Sequence, residues 1–110
     1  MELNDLVAAL EAEGWRRECH IDGTNTTLRR TIGPNKQFID LRTNLEGDLN
    51  LGVGTPNTGM LRPRYFVVAV DNPQQAARLI WATTGALATL IQAEVCREVA
   101  TGEHALYRRP

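Results

Sequence analysis

Cys19-His20 is the pair of residues in this chain best suited to nucleophilic or metal chemistry. A thiolate nucleophile needs a base beside it, and a zinc site needs sulfur and imidazole ligands. The pair lies in Trp15–Ile21 (WRRECHI), a stretch that alternates as a strand does. Neighbours on a strand point to opposite faces, so the two cannot serve one site. The other cysteine and histidine, Cys96 and His104, lie far along the chain, without the close ligand spacing of structural zinc sites. Cys19 therefore reads as a small buried hydrophobe and His20 as half-exposed, and a Cys19–Cys96 disulfide is the less favoured pairing.

The remaining chemistry-bearing patterns are weaker. Gly52-x-Gly54 with Gly59 resembles a phosphate cradle, but such a loop needs a helix starting directly after it, and here a strand pattern follows through Arg62-Pro63-Arg64. The carboxylates in or beside predicted strands are Glu18, Asp22, Asp40 and Asp71, and none is spaced as an acid–base pair. No catalytic residue, metal ligand or cofactor is expected, and the chain does not read as an enzyme.

The arginines repay closer reading. Arg16, Arg29 and Arg42 each fall out of step with the apolar alternation of their strand, so they can share one open sheet face with Thr27, Thr31, His20, Phe38 and Tyr65. A basic face with an exposed aromatic is how sheet-type nucleic-acid binders work. Glu18 and Asp40 fall on the same face, however, and cross-strand ion pairs on a solvated sheet account for the same residues.

The elements that must carry these residues follow from periodicity. Leu3, Leu6, Val7 and Leu10 form a helical stripe, with Asn4 or Asp5 as cap and Gly14 as stop. Strand patterns follow at 15–21, 26–32 and 37–43, separated by the turn signals DGTN and GPNK. A short fourth strand, LNLGV at 49–53, follows the turn Glu46-Gly47-Asp48. Arg64–Val70 (RYFVVAV) is aromatic and β-branched, apolar on both faces, and is expected at the centre of the sheet. Between these two strands, residues 52–63 hold three glycines and two prolines and read as a mobile surface loop. Asn72 as N-cap, Pro73 at the first helical position and Gln75 in a capping box announce a long last helix, closed by Gly102, with a tail at 103–110. The order is α-β-β-β-β-β-α: an α+β class chain, residues 1–110 forming a single domain, with a five-stranded antiparallel meander flanked by a short N-terminal and a long C-terminal helix.

That last helix is the most constraining segment. Leu79–Ala93 (LIWATTGALATLIQA) is fifteen residues without a charge. Its main stripe is Ala76, Ile80, Thr84, Leu87, Ile91 and Val95, and the opposite side is small rather than charged. A helix apolar on more than one side must be covered on more than one side. Residues 73–101 would run about 43 Å as one helix. The helix must therefore bend near Gly85 or reach past its own domain.

Composition excludes several classes. With 110 residues, 43% apolar and 23% charged, the chain is of ordinary globular make-up. A net charge of −1 gives no strong field toward nucleic acid or an anionic membrane. Eleven of the twelve basic residues are arginine. That bias fits a GC-rich genome, as of an actinobacterium or one of its phages. The acidic start MELNDLVAAL lacks the basic region of a signal peptide, and fifteen uncharged residues span about 22 Å, short of a bilayer core. A cytoplasmic protein without membrane contact is expected.

These readings lead to a non-enzymatic protein-interaction module, a small regulator or inhibitor, homodimeric through Trp81, Ala82, Gly85, Ala86, Thr89, Leu90 and Ala93 of the last helix. Its unknown target protein would be met by Arg16, Arg29, Phe38 and Arg42 on the open sheet face and by Met60, Leu61, Arg62 and Arg64 at the loop tip. The alternative is a nucleic-acid-binding regulator using Arg16, Arg29, Arg42 and Arg64. A third option, a small-molecule site between sheet and helix, would need a cavity lined by Trp15, Phe66 and Trp81.

Overall fold

A computed structural model describes residues 1–18, 25–55 and 59–100; Cys19, His20, His104 and the expected tail at 103–110 lie outside them. The elements are α1 (Leu3–Glu13), β1 (Arg16–Arg17), β2 (Asn25–Ile32), β3 (Asn35–Thr43), β4 (Leu49–Thr55), β5 (Gly59–Val67) and α2 (Pro73–Ala100). The strands form one antiparallel sheet in the order β1-β2-β3-β4-β5, the α+β meander expected from the pattern.

The helix ends follow local chemistry, with one difference. Glu2, not Asn4 or Asp5, caps α1, through its carbonyl and without a side-chain bond. The helix begins two or three residues earlier than the cap residues suggest, and partly buried Leu3 packs against the core that Leu6, Val7 and Leu10 enter. Gly14 ends it at φ +115°, a left-handed conformation that a side chain would strain, and this turns Trp15 into the core. Asn72 caps α2 as expected, its Oδ1 accepting the Gln75 amide at 2.9 Å.

Two turns set the meander. Ile32 pairs with Asn35 across a two-residue loop, Gly33-Pro34, with Gly33 at φ +57°. Asn44 closes the next turn, its Oδ1 accepting the amides of Glu46 and Asp48.

The third hairpin departs from expectation. Residues 52–55 extend β4 and 59–63 begin β5, so most of the expected 52–63 loop is paired backbone, with an irregularity between Val53 and Thr55. β5 also ends at Val67 rather than Val70, and it is an edge strand, not a central one. A meander leaves its last strand with one neighbour, whatever that strand's composition. Val68 and Val70 leave the ladder and pack against the core from the connection to α2.

Both helices cover one sheet face. Leu28 of β2, Ile39 and Leu41 of β3, and Leu49, Leu51 and Val53 of β4 meet Leu6, Val7, Leu10 and Trp15, and Ala76, Ala77, Ile80, Ala88 and Ile91 of α2. Each fully buried large side chain here contributes roughly 1.5–3 kcal/mol relative to exposure. The other face of the sheet has no layer over it among the described residues.

Candidate functional site

The interior between sheet and helix is filled by an arginine rather than left as a cavity. Arg30 shares the inward parity of Leu28, and its side chain runs beneath α2, only 3% exposed. Its guanidinium lies between the rings of Trp15 and Trp81, 4.7 and 4.2 Å from their centroids, and the rings meet edge to face. Its nitrogens donate to Gln37 Oε1, the Trp81 carbonyl and Thr84 Oγ1, and Thr84 donates in turn to Gln37. Burial lowers the Arg30 pKa from its ordinary value. No carboxylate pairs with Arg30 among the described residues. The space that a ligand between Trp15 and Trp81 would need is occupied by this cluster. Trp15 Nε1, also buried, finds no acceptor there.

The uncovered sheet face carries a second polar cluster. Asp40 is only 3% exposed although no layer of described residues covers this side, because its neighbours close over it. It accepts from Thr27 Oγ1 at 3.3 Å, from Arg42 at 2.9 and 3.2 Å and from Tyr65 Oη at 3.4 Å. The Tyr65 ring reaches Asp40 by lying across Gly52, where a Cβ would fall 2.6 Å from Cε1. Arg42 stacks 4.6 Å above that ring. Burial first, and then the charge of Asp40, hold the Tyr65 phenol above its ordinary pKa, with Arg42 acting the other way. Arg29 pairs with Glu18 at 3.0 Å, and half-buried Phe38 lies opposite Arg29 in the register. Arg16 sits opposite Arg29 on its other side.

The structure thus brings Arg16, Arg29, Phe38 and Arg42 to one face. It does not bring Arg64 there. Arg64 has the opposite parity, reaches the helix side and forms an ion pair with Glu94 of α2. Met60, Leu61 and Arg62 fall in the first half of β5 rather than on a loop tip. Among the other carboxylates, Asp71 pairs with the N-terminal ammonium, and Asp22 lies outside the described residues. No group of three or more metal-ligating side chains occurs among the described residues.

The third surface is α2 itself, one unbroken helix through Gly85. Within the uncharged run 79–93, Ile80, Thr84, Ala88 and Ile91 are buried, while Ala82, Ala86, Thr89, Leu90 and Ala93 face outward and Gly85 is half-buried near Arg30. Leu90 is 67% exposed. Trp81 lies on the flank toward Trp15, not on the outward stripe. The hydroxyls of Thr83 and Thr89 donate back to Leu79 and Gly85 carbonyls, which makes this surface less polar than its composition suggests. No described helix is long and apolar enough to cross a membrane. Beside α2, the end of β5 and the segment after it form an apolar groove of about 200 Å³, lined by residues that include Phe66, Val68, Leu79, Thr83 and Leu87.

Sequence reasoning placed Tyr65 on the open face but missed Arg30 and the contact of Tyr65 with Gly52. Arg30 was legible from parity, being two positions from Leu28, but a charge at an inward position argues against its own burial. Tyr65 with Gly52 had no local signal, since the contact crosses strands. In comparisons with known proteins, no family model, curated protein or solved structure matches the chain.

Proposed function

We propose that this chain is a non-enzymatic protein-interaction module, a small cytoplasmic regulator or inhibitor of phage or actinobacterial origin, that forms a homodimer through the outer face of α2. The supporting observation is the mismatch between exposure and charge on that helix. Of the fifteen residues 79–93, nine are exposed and none is charged. A helix that covers a sheet with one face ordinarily turns charged residues to water on the other. Ala82, Ala86, Thr89 and Ala93 are small and recur at helical spacing, which lets a second helix approach closely. The open sheet face, with Arg16, Arg29, Phe38 and Arg42, then meets the target protein.

Light scattering and sedimentation test the assembly. The unsubstituted chain is expected as a dimer at tens of micromolar, and Ala86→Arg as a folded monomer. A monomer at that concentration for the unsubstituted chain overturns the reading. Ala86 is the better position than Gly85 because it is exposed, whereas Gly85 is half-buried with its Cβ direction 4.0 Å from Arg30 Nη2, so an arginine there would crowd the interior.

The cations on the sheet face favour a second reading, nucleic-acid binding, now without Arg64. Arg29 and Arg42 already face Glu18 and Asp40. Binding of this kind would weaken steeply with salt, and a gel-shift series without a complex at low salt eliminates it.

A further inference from the structure

β5 has one free edge, and its hydrogen-bonding groups can be assigned. Val68 N–H donates to the Leu49 carbonyl at 2.8 Å, and the pairing Leu51↔Phe66, Val53↔Arg64 continues that register. Bonded pairs alternate along an antiparallel ladder, so Arg64 and Phe66 turn their backbone groups to β4. Tyr65 and Val67 turn theirs outward, offering two N–H donors, and with Pro63 three carbonyl acceptors. The same alternation aims the Pro63 nitrogen outward, which is why proline is tolerated inside this strand. No strand pairs with this edge among the described residues, and Val67 is 61% exposed. On the helix side of the edge lies the apolar groove bounded by Phe66, Leu79, Thr83 and Leu87.

From this juxtaposition we infer that the β5 edge is a docking site for an extended segment of a partner protein, which adds antiparallel to β5 as a sixth strand and places an aliphatic side chain in the groove. Backbone pairing supplies the attachment and the groove selects alternate side chains. A residue opposite Phe66 lies on the helix side and turns its own N–H away from β5, whereas residues opposite Tyr65 and Val67 make the bonds. The occupant therefore alternates: apolar where its amide is free, unrestricted where its amide is bonded. This surface is separate from the outer face of α2 and does not depend on self-association.

The probe is a labelled, end-capped heptapeptide alternating valine and threonine between terminal lysines, titrated against the full chain by fluorescence anisotropy. Saturable binding is expected. Methylating the threonine nitrogens should weaken it at least about tenfold, whereas methylating the valine nitrogens should leave it within about twofold. Val67→Pro, which removes an outward donor and no bond to β4, and Leu87→Lys, which puts an ammonium in the groove, should each weaken it about tenfold, with thermal unfolding showing that the variants fold. Ala86→Arg should leave it unchanged even where that substitution abolishes the dimer. No saturable binding, or equal binding by both methylated peptides, overturns the inference. If the peptide splits the dimer, or Val67→Pro is monomeric, the edge belongs to a second copy and the assignment to a partner falls.

Discussion

Arg30 is a cation held in the interior by two aromatic faces and three oxygen acceptors. Removing it leaves Gln37, Thr84 and the Trp81 carbonyl short of a donor and opens a gap between the rings. Arg30→Ala is therefore expected to destabilise the fold by about 3 kcal/mol in urea denaturation. Arg30→Lys should recover little of this, because an ammonium has neither the flat fork that reaches three acceptors nor the face that stacks. A loss below about 1 kcal/mol for Arg30→Ala would show the cluster to be incidental. Tyr65 makes a different prediction. Its phenol is held protonated in the fold above the ordinary value of 10.0. The unfolded chain thus releases that proton first as pH rises, so the stabilisation is complete below the ordinary value and is lost as pH climbs through the folded one. Alkaline titration of phenolate absorbance should show a transition above the ordinary value, which Tyr65→Phe removes. A Tyr65 transition at the ordinary value in the folded protein would contradict the Asp40 contact.

Two glycines mark positions where a side chain carries a cost, each for its own reason. Gly14 has a left-handed φ of +115°, and that backbone strain is the obstacle, since a Cβ would meet the Trp81 ring at an ordinary 3.5 Å. Gly14→Ala should cost about 1–2 kcal/mol, measured by the same denaturation, because the strain falls where α1 hands Trp15 to the core. Gly52 has ordinary backbone and a different reason: the Tyr65 ring rests on it. Gly52→Ala should displace the ring and return the tyrosine pKa toward its ordinary value, with little loss of sheet structure by circular dichroism. An unchanged titration would mean the ring reaches Asp40 by another route. At this level the sequence was informative about turns and caps, because Gly33-Pro34, the Asn44 turn, Gly14 and Asn72 act through their own backbone neighbourhood. It was misleading about residues 52–63, where glycine and proline signalled a loop. Pairing with a neighbouring strand outweighed that signal, and Pro63 fits because its nitrogen faces away from the ladder.

Across the molecule, the dominant fact is the length and outer surface of α2. Twenty-eight residues span about 42 Å at 1.5 Å each, matching the longest dimension of 42 Å. Of the two alternatives, a bend near Gly85 or a helix reaching past its own domain, the break is not seen: the helix runs through Gly85 as one element. Its buried positions are used by α1 and β4, and its outward ones face solvent uncharged. The dimer expected at tens of micromolar and the monomer expected for Ala86→Arg follow from that surface.

Periodicity alone established the element order, the antiparallel class, the grouping of Arg16, Arg29 and Arg42, and the uncharged helix, because each depends on residues close in the chain. Spatial order decided the rest. Parity says which residues share a face of one strand, but only neighbouring strands decide which face is covered, that Arg30 lies under α2 while Arg64 turns to Glu94, and that the most hydrophobic strand ends at an open edge. Those outcomes depend on packing between residues more than fifty positions apart, as between Arg30 and Trp81. No local pattern encodes contacts at that separation.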